Sequence, residues 1–550
     1  MTPAQYHQQA LALEQAGRRT DAMALLKRGL AEHKEQPDLL TTAANMALRT
    51  NDLAAAVALF RRAVAVGEGR IDYVLNLAIA LTRAGQAKEA VKTLREHEAA
   101  GTGQARYWTA RASAEREADA LTDAARSYDR ALAVEPTAKA LHGRARVALE
   151  RGEDAVDRFK AALAQEPGNP ELWLGLAQAH EALGEREPAR RIASHLIDQA
   201  PAYLDALNFA VGLDPEGATT GETVFEKAAK RQPADPNIRA AWINALVGRD
   251  RFADAAKVAA RASTDFPHIA ALALWHATNL SASGDLAAAT AAFAAVDLHT
   301  VEALLQRVRH ALRLHDPEQA ERLIQEILAQ EPGNIAAWAL RSVAWRLTGD
   351  GRIDWLHGQD GLTRLTPLVM EQADLDTLRR ALHDLHDRAA FPLGQSLRGG
   401  TQTRGRLFAH HDPIFQRLHW AVEAMVEGYR TALPPADPDH PLLRHRDTGW
   451  KLAGSWSVRL SAGADHHTAH IHPQGLASSA LYIALPEGMD GEGDLELGRP
   501  PADLRLDLGP EKVIVPREGH AALFPSTLYH GTTPFTRGQR LTVAFDVVPA

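Results

Sequence analysis

Five of the 25 histidines are spaced to do chemistry. His466, His467, His470 and His472 cluster in ADHHTAHIHPQG, and His530 stands in LFPSTLYHGTTPF. If residues 469–473 are extended, His470 and His472 project to one face, because strand side chains alternate with period two. Two imidazoles on one face can bind one metal ion. A third ligand from a later strand would complete a facial set and leave coordination positions open, and His530 is placed to supply it. A carboxylate from Asp465, Asp494 or Glu496 is the alternative to His472. The chain has no cysteine, which excludes disulfides, zinc ribbons, iron–sulfur clusters and thiol catalysis. Any metal here relies on His, Asp or Glu.

Arg540 lies ten residues past His530 and opens the strand-like run RLTVAFDVV, where Thr542 shares its face. A guanidinium beside a hydroxyl is suited to grip a carboxylate through two-point hydrogen bonds. The plainer readings are a surface ion pair for Arg540 and simple strand propensity for Thr542. His466 and His467 read as solvated loop or supporting residues, as do His410 and His411. The RGGTQT segment lacks the Lys-Ser/Thr end of a phosphate-binding loop.

The elements that would position these groups are legible as well. From Trp450 onward, short alternating runs (SWSVRLSA, ALYIALP, DLELG, KVIVP, AALFP, LTVAFDVV) are bounded by Gly or Pro, the pattern of a β-sandwich or jelly-roll. Helical segments are expected at about 372–388 and 413–432, with the loop- or strand-like FPLGQSLRGGTQTRG between them.

Farther upstream, Ala22, Ala56, Ala90 and Ala124 recur every 34 residues, the tetratricopeptide period. Leu26, Phe60, Leu94 and Tyr128 follow four residues later, on the same helical face. The stretch with Trp173, Leu176, Ala177, Gly184, Ala189 and Pro201 resembles the tetratricopeptide consensus closely. After a weak, irregular unit around Pro215 and Gly217, the pattern resumes and closes at Trp338 and Gly349. The recurring Trp173, Trp242 and Trp338 read as repeat-packing residues. Residues 1–350 are therefore expected to form an α-solenoid, 351–450 a helical and loop lead-in, and 451–550 the β core. The fold class is α + β multidomain.

The segment from about Trp456 to Val548 resembles a bacterial and phage family of 2-oxoglutarate/iron oxygenases with a His-x-His-Pro motif. Its elements here read HIHPQG, ASSALYIALP, GEGDLELGRP, LFPSTLYH and RLTVAFDVV. The resemblance implies a double-stranded β-helix with Fe(II) held at His470, His530 and either His472 or a carboxylate. It implies 2-oxoglutarate held by Arg540 with Thr542, helped by Tyr482, and no catalytic side chain beyond the metal centre. The wider superfamily has His-x-Asp or His-x-Glu where this chain has His472.

Composition narrows the partners. Net charge is −8 and no Lys/Arg block is present, so nucleic-acid binding has no electrostatic footprint. No run of about 18 apolar residues suggests a membrane span, and the N-terminus lacks an apolar signal core, so the cytoplasm is the default location. The leading expectation is a 2-oxoglutarate-dependent dioxygenase acting with O2 on a protein or peptide recruited by the repeats. The alternatives are a non-catalytic repeat scaffold with a degenerate jelly-roll, or a cupin-type metalloenzyme.

Overall fold

The computed structural model describes every residue except 35, 214–219, 389–396, 464, 487 and 489–490. Pro215 and Gly217 lie outside the described residues, as does the first part of FPLGQSLRGGTQTRG. The chain forms two compact units, residues 1–179 and 180–550.

In the first unit, successive helices pack in pairs, such as Pro37–Arg49 with Leu53–Val66 and Ile71–Arg83 with Ala87–Glu96. Ala22, Ala56, Ala90 and Ala124 are all fully buried in the second helix of a pair, as are Leu26, Phe60 and Leu94. The 34-residue spacing thus marks where backbones approach, because only a small side chain fits there. Gly175, in Pro170–Ala182, is the limiting case. A Cβ there would lie 2.2 Å from the Phe159 ring, so the aromatic of the preceding helix rests on bare backbone.

The second unit begins with further helical pairs and ends them at Ile335–Thr348, where Gly349 takes a left-handed φ of 67° and stops the helix. Trp338 donates its indole N–H to the carbonyl of Pro332 at 3.0 Å. In the first unit, Trp173 bonds the Pro167 carbonyl in the same way at 2.8 Å. Each indole latches its helix to the turn six residues back, which makes it a packing group.

Eleven strands are described after these helices: β1 (Arg364–Pro367), β2 (Leu397–Arg398), β3 (Thr401–Gln402), β4 (Trp450–Ser461), β5 (His466–His467), β6 (Ala477–Ala484), β7 (Leu495–Leu497), β8 (Lys512–Ile514), β9 (His520–Pro525), β10 (His530–Thr532) and β11 (Gln539–Pro549). They form antiparallel sheets in the orders β1-β9-β6-β11-β4-β3, β10-β7-β8 and β2-β5. Each alternating run read from the sequence contains a strand, whereas β1 and β5 were not foreseen. Helices Gln372–Arg388 and Pro413–Thr431 fall where expected.

Alternation along β11 sorts its side chains between two environments. Leu541, Val543, Phe545 and Val547 join Leu378, Leu382, Ile414 and Phe415 of the two helices in one apolar cluster. Arg540, Thr542, Ala544 and Asp546 occupy the other face. Behind the second sheet, Tyr529, Leu504 and Ile471 pack into the cluster formed by Val308, Leu312 and Leu340 of the last repeats. Asp503 receives Arg309 at 2.7 Å and also pairs with the buried Arg313. Burial raises the Asp503 carboxyl, but the two guanidinium groups outweigh it and hold the pKa below the usual range. Among the described residues, no helix is long and apolar enough to cross a membrane.

Candidate functional site

His470 and His530 sit opposite each other in an antiparallel bridge, exchanging backbone hydrogen bonds of 3.0 and 2.9 Å. The bridge sets their rings with centroids 4.2 Å apart. His472 projects to the same side as His470, with Nε2 atoms 3.1 Å apart. The intervening Ile471 packs instead on the repeat cluster. Period-two alternation therefore operates here although residues 469–473 are not a named strand. Ligand atoms of His470, His472 and His530 all lie within 4.8 Å of one another.

The outer ring nitrogens set the tautomers. Backbone carbonyls can only accept, so His470 donates Nδ1–H to Thr468 O at 2.8 Å and His530 donates Nδ1–H to Leu528 O at 3.2 Å. His472 Nδ1 is bonded to the carboxylate of Asp546. All three Nε2 atoms are thus left to converge. Burial pushes His470 down to about 3, with His472 adding to the effect. Burial also holds His530 well below the usual histidine range, with His470 the next cause. Both rings stay neutral at physiological pH, as metal ligation requires. For a nitrogen-to-metal distance of about 2.1 Å, adjacent ligands at right angles stand about 3.0 Å apart, which matches the separation of the His470 and His472 Nε2 atoms.

Two of the three acidic candidates are otherwise engaged. Asp465 accepts the Ser461 N–H at 2.8 Å, and Glu496 is held by Arg499. The Asp494 carboxyl is raised by burial, and Arg540 pulls it the opposite way. Among the described residues, the converging metal-ligating group consists of the three histidines.

A cavity of about 270 Å³ is lined by His470, His472, His530, Arg540, Thr542 and Trp456, together with Gln402 and His467. Arg540 is only 2% exposed. It donates to the Gly493 carbonyl and lies 5.0 Å from the centroid of the Tyr482 ring. It makes no ion pair among the described residues. Burial lowers its pKa, partly offset by Tyr482 and Asp494. Tyr482 is opposite Thr542 across the β6–β11 pair. Arg540 Nε, Tyr482 Oη and Asp494 Oδ1 are buried without a partner of hydrogen-bonding geometry. A guanidinium left this way is costly to bury, and a ligand carboxylate is what would satisfy it. The residues therefore fit a metal ion beside a bound carboxylate.

Of the two readings of His467, solvated loop or supporting residue, the structure departs from the first. Pairing of β5 with β2, and a 2.9 Å bond from its N–H to Thr532 Oγ1, turn its ring into the cavity. Burial holds it well below the usual histidine range. Asp546 was missed altogether. Its signal was available, since it is six residues beyond Arg540 on the same strand face.

Residues 454–546 match a family model described as "Putative 2OG-Fe(II) oxygenase". Two models described as tetratricopeptide repeat match residues 47–114 and 146–208, and residues 7–71 and 305–351. No curated protein sequence matches the chain. Among solved structures, a tetratricopeptide repeat protein from Parabacteroides merdae is 17% identical over 44% of this chain and 97% of its own, with a TM-score of 0.35. Yeast Tom70 is 14% identical over 64% of this chain and 96% of its own, with a TM-score of 0.31. PilW, a type IV pilus biogenesis factor, is 17% identical over 37% of this chain and 96% of its own, with a TM-score of 0.35. The repeat assignment rests on the family models and the helical pairs.

Proposed function

We propose that the C-terminal part of the chain is a non-haem Fe(II)/2-oxoglutarate-dependent dioxygenase, that its two larger sheets are the halves of a jelly-roll, and that it hydroxylates a protein or peptide brought by the repeat array. The observation that carries this reading is the buried Arg540, which makes no ion pair among the described residues and faces the same cavity as three convergent histidine nitrogens.

In this reading, His470, His472 and His530 hold Fe(II) through Nε2. Arg540 and Thr542 hold the distal carboxylate of 2-oxoglutarate, with the Tyr482 hydroxyl beside it. Bound iron and cosubstrate supply the redox chemistry, in which 2-oxoglutarate and O2 yield succinate, CO2 and an oxygenated substrate. The chain's own contribution is placement. Backbone carbonyls at Thr468 and Leu528 keep two imidazoles in the ligating tautomer, and an apolar wall that includes Trp456, Val458 and Leu495 limits water beside the site. Three histidine ligands would leave a bound ion able to take cosubstrate and O2 as well. Repeat arrays commonly present extended surfaces to peptides, which supports the substrate class.

The test is anaerobic loading with Fe(II) and 2-oxoglutarate, followed by admission of air and measurement of succinate. Succinate formed in proportion to enzyme turnover is expected even without substrate. Metal binding with no 2-oxoglutarate binding would favour the cupin-type alternative, and absence of both would favour the scaffold.

A further inference from the structure

Four side chains of β11 alternate onto its inner face, and cosubstrate binding uses only the first two. The fourth, Asp546, is aimed by its local structure. The register of β11 against β4 shifts between Asp546 and Val547, where β4 carries the extra residue Ala453, and such a bulge increases the local twist of the strand pair beside Asp546. The β4 residue opposite Asp546 is Gly454, so no side chain of that strand competes for the carboxylate. It bonds His472 Nδ1 instead.

This contact sets His472 apart from the other two histidines. His470 and His530 give their Nδ1–H to neutral carbonyls at 2.8 and 3.2 Å, whereas the partner of His472 is a carboxylate. Three neutral imidazoles leave the full charge of a divalent ion uncompensated. A carboxylate behind one of them makes that ring a stronger donor and places a negative charge one bond-shell out. Resting on the metal centre proposed above, we infer that Asp546 is a positioning residue of that centre. It fixes His472 with Nε2 toward the ion and supplies the charge that a directly coordinated carboxylate would otherwise bring.

Cobalt(II) is the probe, because its visible absorption reports ligand field as well as occupancy. Asp546→Asn keeps the shape and an oxygen acceptor but removes the charge. It is expected to weaken cobalt binding by roughly 10- to 100-fold and to shift the absorption bands. Asp546→Glu is expected to recover part of the loss. Metal-free thermal midpoints of the full-length variants separate these effects from misfolding. If Asp546→Asn folds and binds cobalt with wild-type affinity and spectrum, the inference is overturned while the metal centre stands. If wild type binds no cobalt, the metal-centre reading falls and the inference with it. If Asp546→Asn does not fold, Asp546→Glu decides: better binding than His472→Ala supports the inference, and binding no better overturns it.

Discussion

The Nε2 atoms of His470 and His472 face each other at 3.1 Å. Their Nδ1 atoms are already engaged, by the Thr468 carbonyl and the Asp546 carboxylate. Two neutral rings so oriented would point lone pairs at one another, and a shared proton or a metal ion relieves that.

Removing either ring is expected to abolish tight metal binding without unfolding the chain. His470→Ala, His472→Ala and His530→Ala should each weaken Fe(II) or Co(II) binding at least about tenfold, since each removes one of three ligands. Titration calorimetry checks this. A His472→Ala variant with unchanged affinity would remove that residue from the ligand set.

Arg540→Ala is expected to leave metal binding intact and to weaken 2-oxoglutarate binding at least about tenfold, because a charge-assisted hydrogen bond contributes about 1.5–3 kcal/mol. Arg540→Lys restores only part, since an ammonium cannot make the planar two-point contact. Equal 2-oxoglutarate affinity in wild type and Arg540→Ala would refute the clamp.

Two buried histidines away from the metal centre make a pH prediction. Burial holds His386 at about 3, with Arg459 adding to the effect, and burial holds His440 at about 4. His440 Nδ1 accepts the N–H of both Leu442 and Leu443 at 3.1 Å, so a proton there has no room. The folded-state pKa values lie below the unfolded value of about 6.5. The unfolded chain therefore takes up protons first as pH falls. Stability is unaffected by these groups above about pH 6.5 and declines below it, by roughly 2 kcal/mol for each at pH 5. Urea midpoints of metal-free protein at pH 7 and pH 5 measure this, and equal midpoints would contradict it.

In the first unit, Gly175→Ala is expected to cost about 1–3 kcal/mol through overpacking against Phe159. The first transition of a thermal melt should move down while metal affinity stays constant.

Much of this was legible because it is local. Ala22, Ala56, Ala90 and Ala124 announce their burial by spacing, and Gln372–Arg388 by helical period. His470, Ile471 and His472 alternate as the sequence implies. What was not legible is pairing across distance. Asp546 meets His472 from 74 residues away, and Asp503 meets Arg313 from 190; the place of Asp546 on the Arg540 face of β11 was readable, but its partner was not. His467 resembled a loop histidine because β5 and its partner β2 are each two residues long. They are too short to show alternation.

Asp503→Ala extends this to the packing behind the site. It would strand the buried guanidinium of Arg313 beside Arg309 and is expected to destabilise residues 180–550 by about 3–5 kcal/mol. Calorimetric unfolding reads this directly, and a loss below about 1 kcal/mol would show that the pair is dispensable.

The packing of Ile471 and Tyr529 against the last repeats limits what protein engineers can transplant. These two residues adjoin His470, His472 and His530 in sequence, and their apolar neighbours Val308, Leu312 and Leu340 come from helices that end before residue 350. A graft beginning at residue 351 would leave the backs of both histidine-bearing segments bare to solvent. The histidine site is not a portable cassette, and any chimera that keeps it must bring the final helices along as its foundation.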